Sequence, residues 1–301
     1  MKKMALRTLL LAFLCMPCAA SPPAIDGIVS EVPFSFEKGY VIVQAKILRQ
    51  MPAEMVLATG AEYSTFNGGM MDKYKLPVLN FTYDNPKRCN HPDCTYSFTN
   101  ITNITLGDLK PVTQTMRLGT LDNIEKKIGR QVFGMLGADF FKGRVVQFDF
   151  KRKVVRFLPK SSSAASNDNK TLSATNRIVL RMAFYDEYTI LPIAEDVTFD
   201  GKKIKTVIDT GAPIVVALSP SATKQLGLPL PPEKSVPHAG NVSLLRLGDY
   251  ELTNIPVLLY GKGMGFDRDS KEFGAIAGVG LLQNFIATFD FPNKTIILER
   301  V

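Results

Sequence analysis

The apolar positions of this chain fall mostly in short, β-branched runs with partial alternation, the pattern of strands. Residues 40–48 form one such run. Residues 197–208 form two, separated by Asp200-Gly201, a strong hairpin signal. Residues 145–157 read as strand, a turn at Lys151-Arg152-Lys153, then strand; residues 285–298 repeat this around Pro292-Asn293-Lys294. Short helices are predicted at 69–75, 138–142, 221–227 and 280–285. The pattern as a whole predicts an all-β chain with small helical caps.

Parts of the pattern recur. Met55-Val56-Leu57-Ala58-Thr59-Gly60-Ala61 has the frame of Thr206-Val207-Ile208-Asp209-Thr210-Gly211-Ala212, with Ala58 where Asp209 stands, 151 positions on. Leu106-Gly107-Asp108 matches Leu247-Gly248-Asp249 at an offset of 141, as do Gly137-Ala138-Asp139-Phe140-Phe141 with Gly278-Val279-Gly280-Leu281-Leu282 and Phe148-Asp149-Phe150 with Phe289-Asp290-Phe291. Four ordered matches predict two copies of one unit. Residues 161–175 are rich in Ser, Ala and Asn without apolar periodicity and read as a linker. The units are then 21–160 and 176–301.

Composition adds a leader. Lys2, Lys3 and Arg7 precede an apolar core and the small residues Cys18-Ala19-Ala20, which reads as a signal peptide over 1–20, with a weaker lipoprotein reading at Cys18. The expected destination is export, to a bacterial periplasm or outside the cell; six Asn-x-Ser/Thr sites would be glycosylation candidates in a eukaryotic secretory path. No later stretch is long and apolar enough to span a bilayer. Three of the net eight positive charges leave with the leader, so the remaining excess, about +5, is mild. With no dense basic run carrying aromatics, nucleic-acid binding is not expected. Beyond the leader, Cys89 and Cys94 flank Asn90-His91-Pro92-Asp93. An oxidising compartment favours a local disulfide. A zinc site needs four ligands, and only His91 is close by, so no metal is predicted. Two histidines, His91 and His238, and the lack of a nucleophile elbow argue against a serine or cysteine hydrolase.

The remaining chemistry lies in the recurring frame. An apolar strand runs into a turn that carries Asp209, with Thr210 to tie the turn down and Gly211 to permit it. A carboxylate against an apolar core is costly unless something satisfies or uses it. The motif Ile208-Asp209-Thr210-Gly211-Ala212, with Ile276-Ala277-Gly278 downstream, resembles the aspartic peptidases, closest to the retropepsin-like bacterial aspartyl proteases, here in tandem like the two lobes of pepsin. Leu57-Ala58-Thr59-Gly60-Ala61, with Met135-Leu136-Gly137 downstream, is the first copy. The resemblance implies a β-rich lobe per copy, the two Thr-Gly turns meeting between lobes, and a hairpin after each turn closing over an extended peptide. The cysteine loop and the segment 231–240, which holds His238, fall at that distance; the latter reads as a loop or flap-like hairpin, or simply as a solvated turn. It also implies two aspartates sharing one proton around a water, with no metal, nucleophilic side chain or cofactor.

Ala58 departs from that pattern. Glu54 and Glu62 are the nearest spare carboxylates. Pairing of two second lobes in a homodimer would bring Asp209 to Asp209, although pairing within one chain is favoured by effective concentration. Three classes therefore stand: an aspartic endopeptidase acting through Asp209, an inactive homologue that binds a peptide or protein partner in its cleft, and an envelope protein that keeps only the fold.

Overall fold

Six antiparallel strands form the seam of the molecule. In spatial order they are Ser30–Glu37, Val154–Leu158, Val145–Asp149, Phe285–Asp290, Thr295–Arg300 and Arg177–Ala183. The computed structural model describes residues 28–48, 50–82, 95–160, 176–184, 191–263, 266 and 272–301. The expected leader, the linker, Cys89, His91 and Cys94 lie outside these residues. At the centre of the seam Gln147 stands opposite Thr288, its Nε2 donating to Thr288 Oγ1 at 3.0 Å. These residues are 141 positions apart, so a pseudo-two-fold axis passes between them.

The Phe-Asp-Phe runs explain themselves here. Phe148, Phe150, Phe289 and Phe291 pack into one core, with Phe148 and Phe289 edge to face at 5.8 Å across the axis. The intervening aspartates are buried too, and each is satisfied by the turn that follows. Asp149 accepts from the Arg152 N–H and pairs with the buried Arg156. Asp290 accepts from the Asn293 N–H and its Nδ2. Burial of each phenyl ring contributes about 2–3 kcal/mol, and hydrogen bonds offset the cost of the carboxylates between them.

Each outer strand of the seam then leaves for its own lobe. Phe34–Glu37 turns to pair with Tyr40–Val43, and Met182 and Ala183 turn to pair with Ala194 and Ile193. Inside the first lobe Met51–Leu57 lies parallel to Gly134–Leu136; Thr65–Asn67 runs antiparallel to that strand and parallel to Val112–Gly119. In the second lobe Thr206–Ile208, Ala275–Ala277, Val216–Leu218 and Tyr250–Leu259 repeat these directions. Both Thr-Gly frames thus begin where a buried strand ends beside an apolar-apolar-Gly strand.

The expected helices are present as Gly68–Met70 with Met71–Tyr74, Ala138–Phe141, Pro220–Leu226 and Val279–Leu282. The last is shorter than expected, because residues from Phe285 onward join the seam. Asp122–Ile128 is a further helix that the strand-like pattern hid. Its signals were Ile124 and Ile128 four apart and Gly129 in the left-handed conformation that stops a helix. His238 is exposed and opens the strand His238–Leu247, opposite Leu259. Among the described residues, no helix is long and apolar enough to cross a membrane.

Candidate functional site

The two frames meet across the pseudo-two-fold axis through their threonines. Thr59 Oγ1 donates to the Ile208 carbonyl at 2.8 Å and accepts the Thr210 N–H at 3.1 Å. Thr210 Oγ1 donates to the Leu57 carbonyl at 3.1 Å and accepts the Thr59 N–H at 3.1 Å. Both side chains are fully buried. The exchange satisfies four backbone groups that would otherwise be buried and unpaired, and it fixes one turn against the other.

The glycines are required by space. Neither Gly60 nor Gly211 has a left-handed backbone, so the expectation that Gly211 serves an unusual turn conformation is corrected. A Cβ at Gly211 would lie 2.4 Å from the Ala58 Cβ, and one at Gly60 would lie 2.4 Å from the Asp209 Cγ. Each glycine therefore touches the residue-58 or residue-209 position of the opposite lobe. Ala61 and Ala212 hold the far side of the turns, their carbonyls accepting the N–H groups of Ala138 and Val279.

Among the described residues, one carboxylate stands between the turns. The Asp209 N–H donates to the Ala277 carbonyl at 2.9 Å, and the Ala58 N–H donates to Leu136 in the same way at 3.0 Å. The two backbones are equivalent, but the side chains are not. Asp209 Oδ1 accepts both the Gly211 N–H at 2.7 Å and the Gly60 N–H at 2.9 Å, one from each lobe. The lone acid thus leans onto the axis and serves both amides, opposite the buried methyl of Ala58. Of the expected substitutes for a second acid, Glu54 is engaged by Arg130 and Gln44. Glu62 has a partner as well.

Burial raises the Asp209 pKa above the ordinary 3.8, and the two amide donors only partly oppose it. Some of the side chain reaches the surface, while protein surrounds the carboxylate on most sides. The folded state favours the protonated acid. Its contribution to stability is complete below the ordinary aspartate value and is lost as pH rises through the raised one. Asp209→Asn, which keeps an oxygen acceptor for both amides, is expected to melt higher than the parent protein at neutral pH. The difference should shrink on acidification to about pH 3, as read by thermal melts across that range.

A second buried acid supports the first lobe's turn. Asp139 Oδ1 accepts from the Ser64 N–H at 2.8 Å, the Ser64 hydroxyl at 2.6 Å and the Phe140 N–H at 2.8 Å, while Gln114 Nε2 donates to Oδ2 at 2.8 Å. Ser64 Oγ in turn accepts the Gly137 N–H. Burial raises the Asp139 pKa against these donors. In the second lobe the same places hold Val215 and Gly280, so this network belongs to the lobe that lacks the acid. Sequence reasoning missed it, although a carboxylate in the apolar run Gly137-Ala138-Asp139-Phe140-Phe141 asks for partners. Asp139→Ala is expected to cost about 2 kcal/mol in a denaturant titration, by leaving Ser64 and backbone donors unpaired.

Residues 195–270, which include Asp209, match the aspartyl protease family model. The aspartic proteinase from Irpex lacteus superposes with a TM-score of 0.53 at 13% identity, over 90% of this chain and 97% of that one. The fold is that of a two-lobed aspartic proteinase. Basic 7S globulin from soybean shares it, with a TM-score of 0.50 at 10% identity over 91% of this chain and 95% of that one. No curated protein matches the chain in sequence. The aspartic-proteinase fold is thus carried by a protein called a proteinase and by one called a globulin, and it does not by itself decide the chemistry.

Proposed function

We propose that this chain is an exported aspartic-peptidase-like protein that binds an extended peptide between its lobes and does not cleave it efficiently. The observation that carries this reading is the single carboxylate that the described residues place at the axis, with Oδ1 taken up by both lobes' amides and a methyl group facing it. Peptide hydrolysis in this family of sites divides two tasks between two acids: one removes a proton from water, the other polarises the carbonyl. Asp209, which burial makes easier to protonate than an ordinary aspartate, suits the second task. Its acid proton can be donated to a peptide carbonyl, which anchors a ligand without activating a water. Thr59, Thr210, Gly60 and Gly211 then hold the cleft floor and have no chemical part.

An active endopeptidase acting through Asp209 is the second reading, favoured by the intact turn scaffold and by the match over 195–270. Incubation of the leader-free protein with unfolded casein from acid to neutral pH, with and without pepstatin, separates the two. The binding reading expects pepstatin or peptide binding with no cleavage. Cleavage that disappears in Asp209→Ala would replace it with the endopeptidase reading. Pairing of Asp209 between two chains has no support from the threonine exchange, which is closed within one chain; light scattering on the eluted protein is expected to give the mass of a monomer.

A further inference from the structure

One face of the first lobe's sheet is aromatic and carries an arginine. Strand Leu79–Thr82 pairs with Thr95–Ile104, which pairs with Val112–Gly119. Phe81 stands opposite Tyr96, Leu79 opposite Phe98, and Phe98 opposite Arg117, so alternation puts all five on one face. Tyr96, Phe98 and Leu79 form an apolar cluster apart from the main core. Phe81 meets Phe98 edge-on at 5.4 Å and is itself 51% exposed. Val78, just before this strand, is exposed as well. A half-exposed phenyl ring beside a second apolar side chain marks a contact surface.

The arginine on this face is held but not neutralised. The guanidinium carbon of Arg117 lies 4.0 Å from the centroid of the Tyr96 ring. A ring fixes the position of the charge and cancels none of it. Among the described residues, Arg130, Arg156, Arg181 and Arg246 each sit on a carboxylate, whereas no carboxylate or carbonyl takes up the Arg117 guanidinium. Asp139 is bound by Gln114, which points from the same strand to its other face.

The face adjoins the turn that begins at Ala58. Tyr63, in that turn, packs edge-on against Phe98 at 6.2 Å, and the carbonyl of the next residue, Ser64, accepts the Arg117 N–H at 2.8 Å. Register gives the second lobe's counterparts. Thr65 pairs with Arg117 as Ala217 pairs with Leu258, and Ala239 stands opposite Leu258 as Phe98 stands opposite Arg117. There Ala217 and Leu258 share an apolar cluster with the buried Phe266 and Phe273. The charge and the open aromatic surface therefore belong to the lobe whose turn lacks the acid.

We infer that this face selects, in the peptide bound between the lobes, an acidic residue next to an apolar one. The inference rests on the peptide-binding reading above. The carboxylate takes the Arg117 donors, and the neighbouring apolar side chain packs on Phe81. The test uses capped octapeptides of Leu and Ala in which a single Glu is moved stepwise along the chain, each matched with its Gln twin. They are titrated into the full leader-free protein by calorimetry. At one position Glu is expected to bind about tenfold tighter than Gln at neutral pH. The advantage should disappear at about pH 3, where the peptide's own Glu is protonated. In Arg117→Leu, which copies the second lobe's residue, the twins should bind alike while circular dichroism shows an intact fold. Arg117→Lys, which keeps the charge and loses the fork, should retain only part of the advantage. Absence of any position that favours Glu, or an advantage that survives Arg117→Leu, would overturn this inference and leave the peptide-binding reading standing. Failure of every peptide to bind would overturn both.

Discussion

Replacing Ala58 with aspartate is expected to give this protein pepstatin-sensitive casein hydrolysis at acid pH, on the order of a hundredfold or more above the parent. The backbone is already in place. The Ala58 N–H bonds to Leu136 as the Asp209 N–H bonds to Ala277, so the new side chain would leave the strand end in the mirror position of Asp209. Gly60 and Gly211 each present an amide to the axis, and both now go to one oxygen. With two acids present, the amides can divide between them. Close like charges then split the pair's titration so that one proton is shared, the state that lets one acid act as base and the other as donor. The same change should lower stability at neutral pH, where two buried carboxylates repel, and less so in acid. Hydrolysis no greater than in the parent protein would mean that the cleft does not present a peptide bond to the axis.

Thr59→Val is expected to cost about 4 kcal/mol and to lower the melting temperature by roughly 8 °C. The substitution keeps the shape of the side chain and removes only the hydroxyl. The Thr210 N–H and the Ile208 carbonyl, both at the seam of the lobes, lose their partner together. Each buried unpaired group costs about 1–3 kcal/mol. Thr210→Val should cost a similar amount by orphaning the Thr59 N–H and the Leu57 carbonyl. Because the four bonds form one ring, the double substitution should cost less than the sum of the two. A loss below about 1 kcal/mol in both single variants would show that the turns are not joined in solution.

Much of this site was legible in the sequence, for a physical reason. A frame that must meet its counterpart across an axis keeps short residues at fixed places: Gly60 and Gly211 because a Cβ would collide, Thr59 and Thr210 because each hydroxyl must both give and take a hydrogen bond. Such constraints act within a few residues and so leave a local pattern. The 141-residue offset was readable because Phe148, Asp149 and Phe150 carry a seam position, a turn cap and a core position in consecutive residues, as do Phe289, Asp290 and Phe291. What was not readable depends on residues that folding brings together. Glu54 looked available until Arg130, far along the chain, took it. Asp139 read only as part of a short helix until Ser64 and Gln114 closed on it. Gly211 does exclude a side chain, as expected of the turn, but the reason is the space it yields to Ala58 and not its own backbone conformation.

The central claim is that one carboxylate, protonated more readily than an ordinary aspartate, is held by an amide from each half of the chain. It is tested most directly by following the Gly60 and Gly211 amide resonances against pH. Both should move with a single shared inflection above 3.8, and both should stop moving in Asp209→Asn. A Gly60 resonance that does not respond to Asp209, or a shared inflection at the ordinary aspartate value, would contradict it.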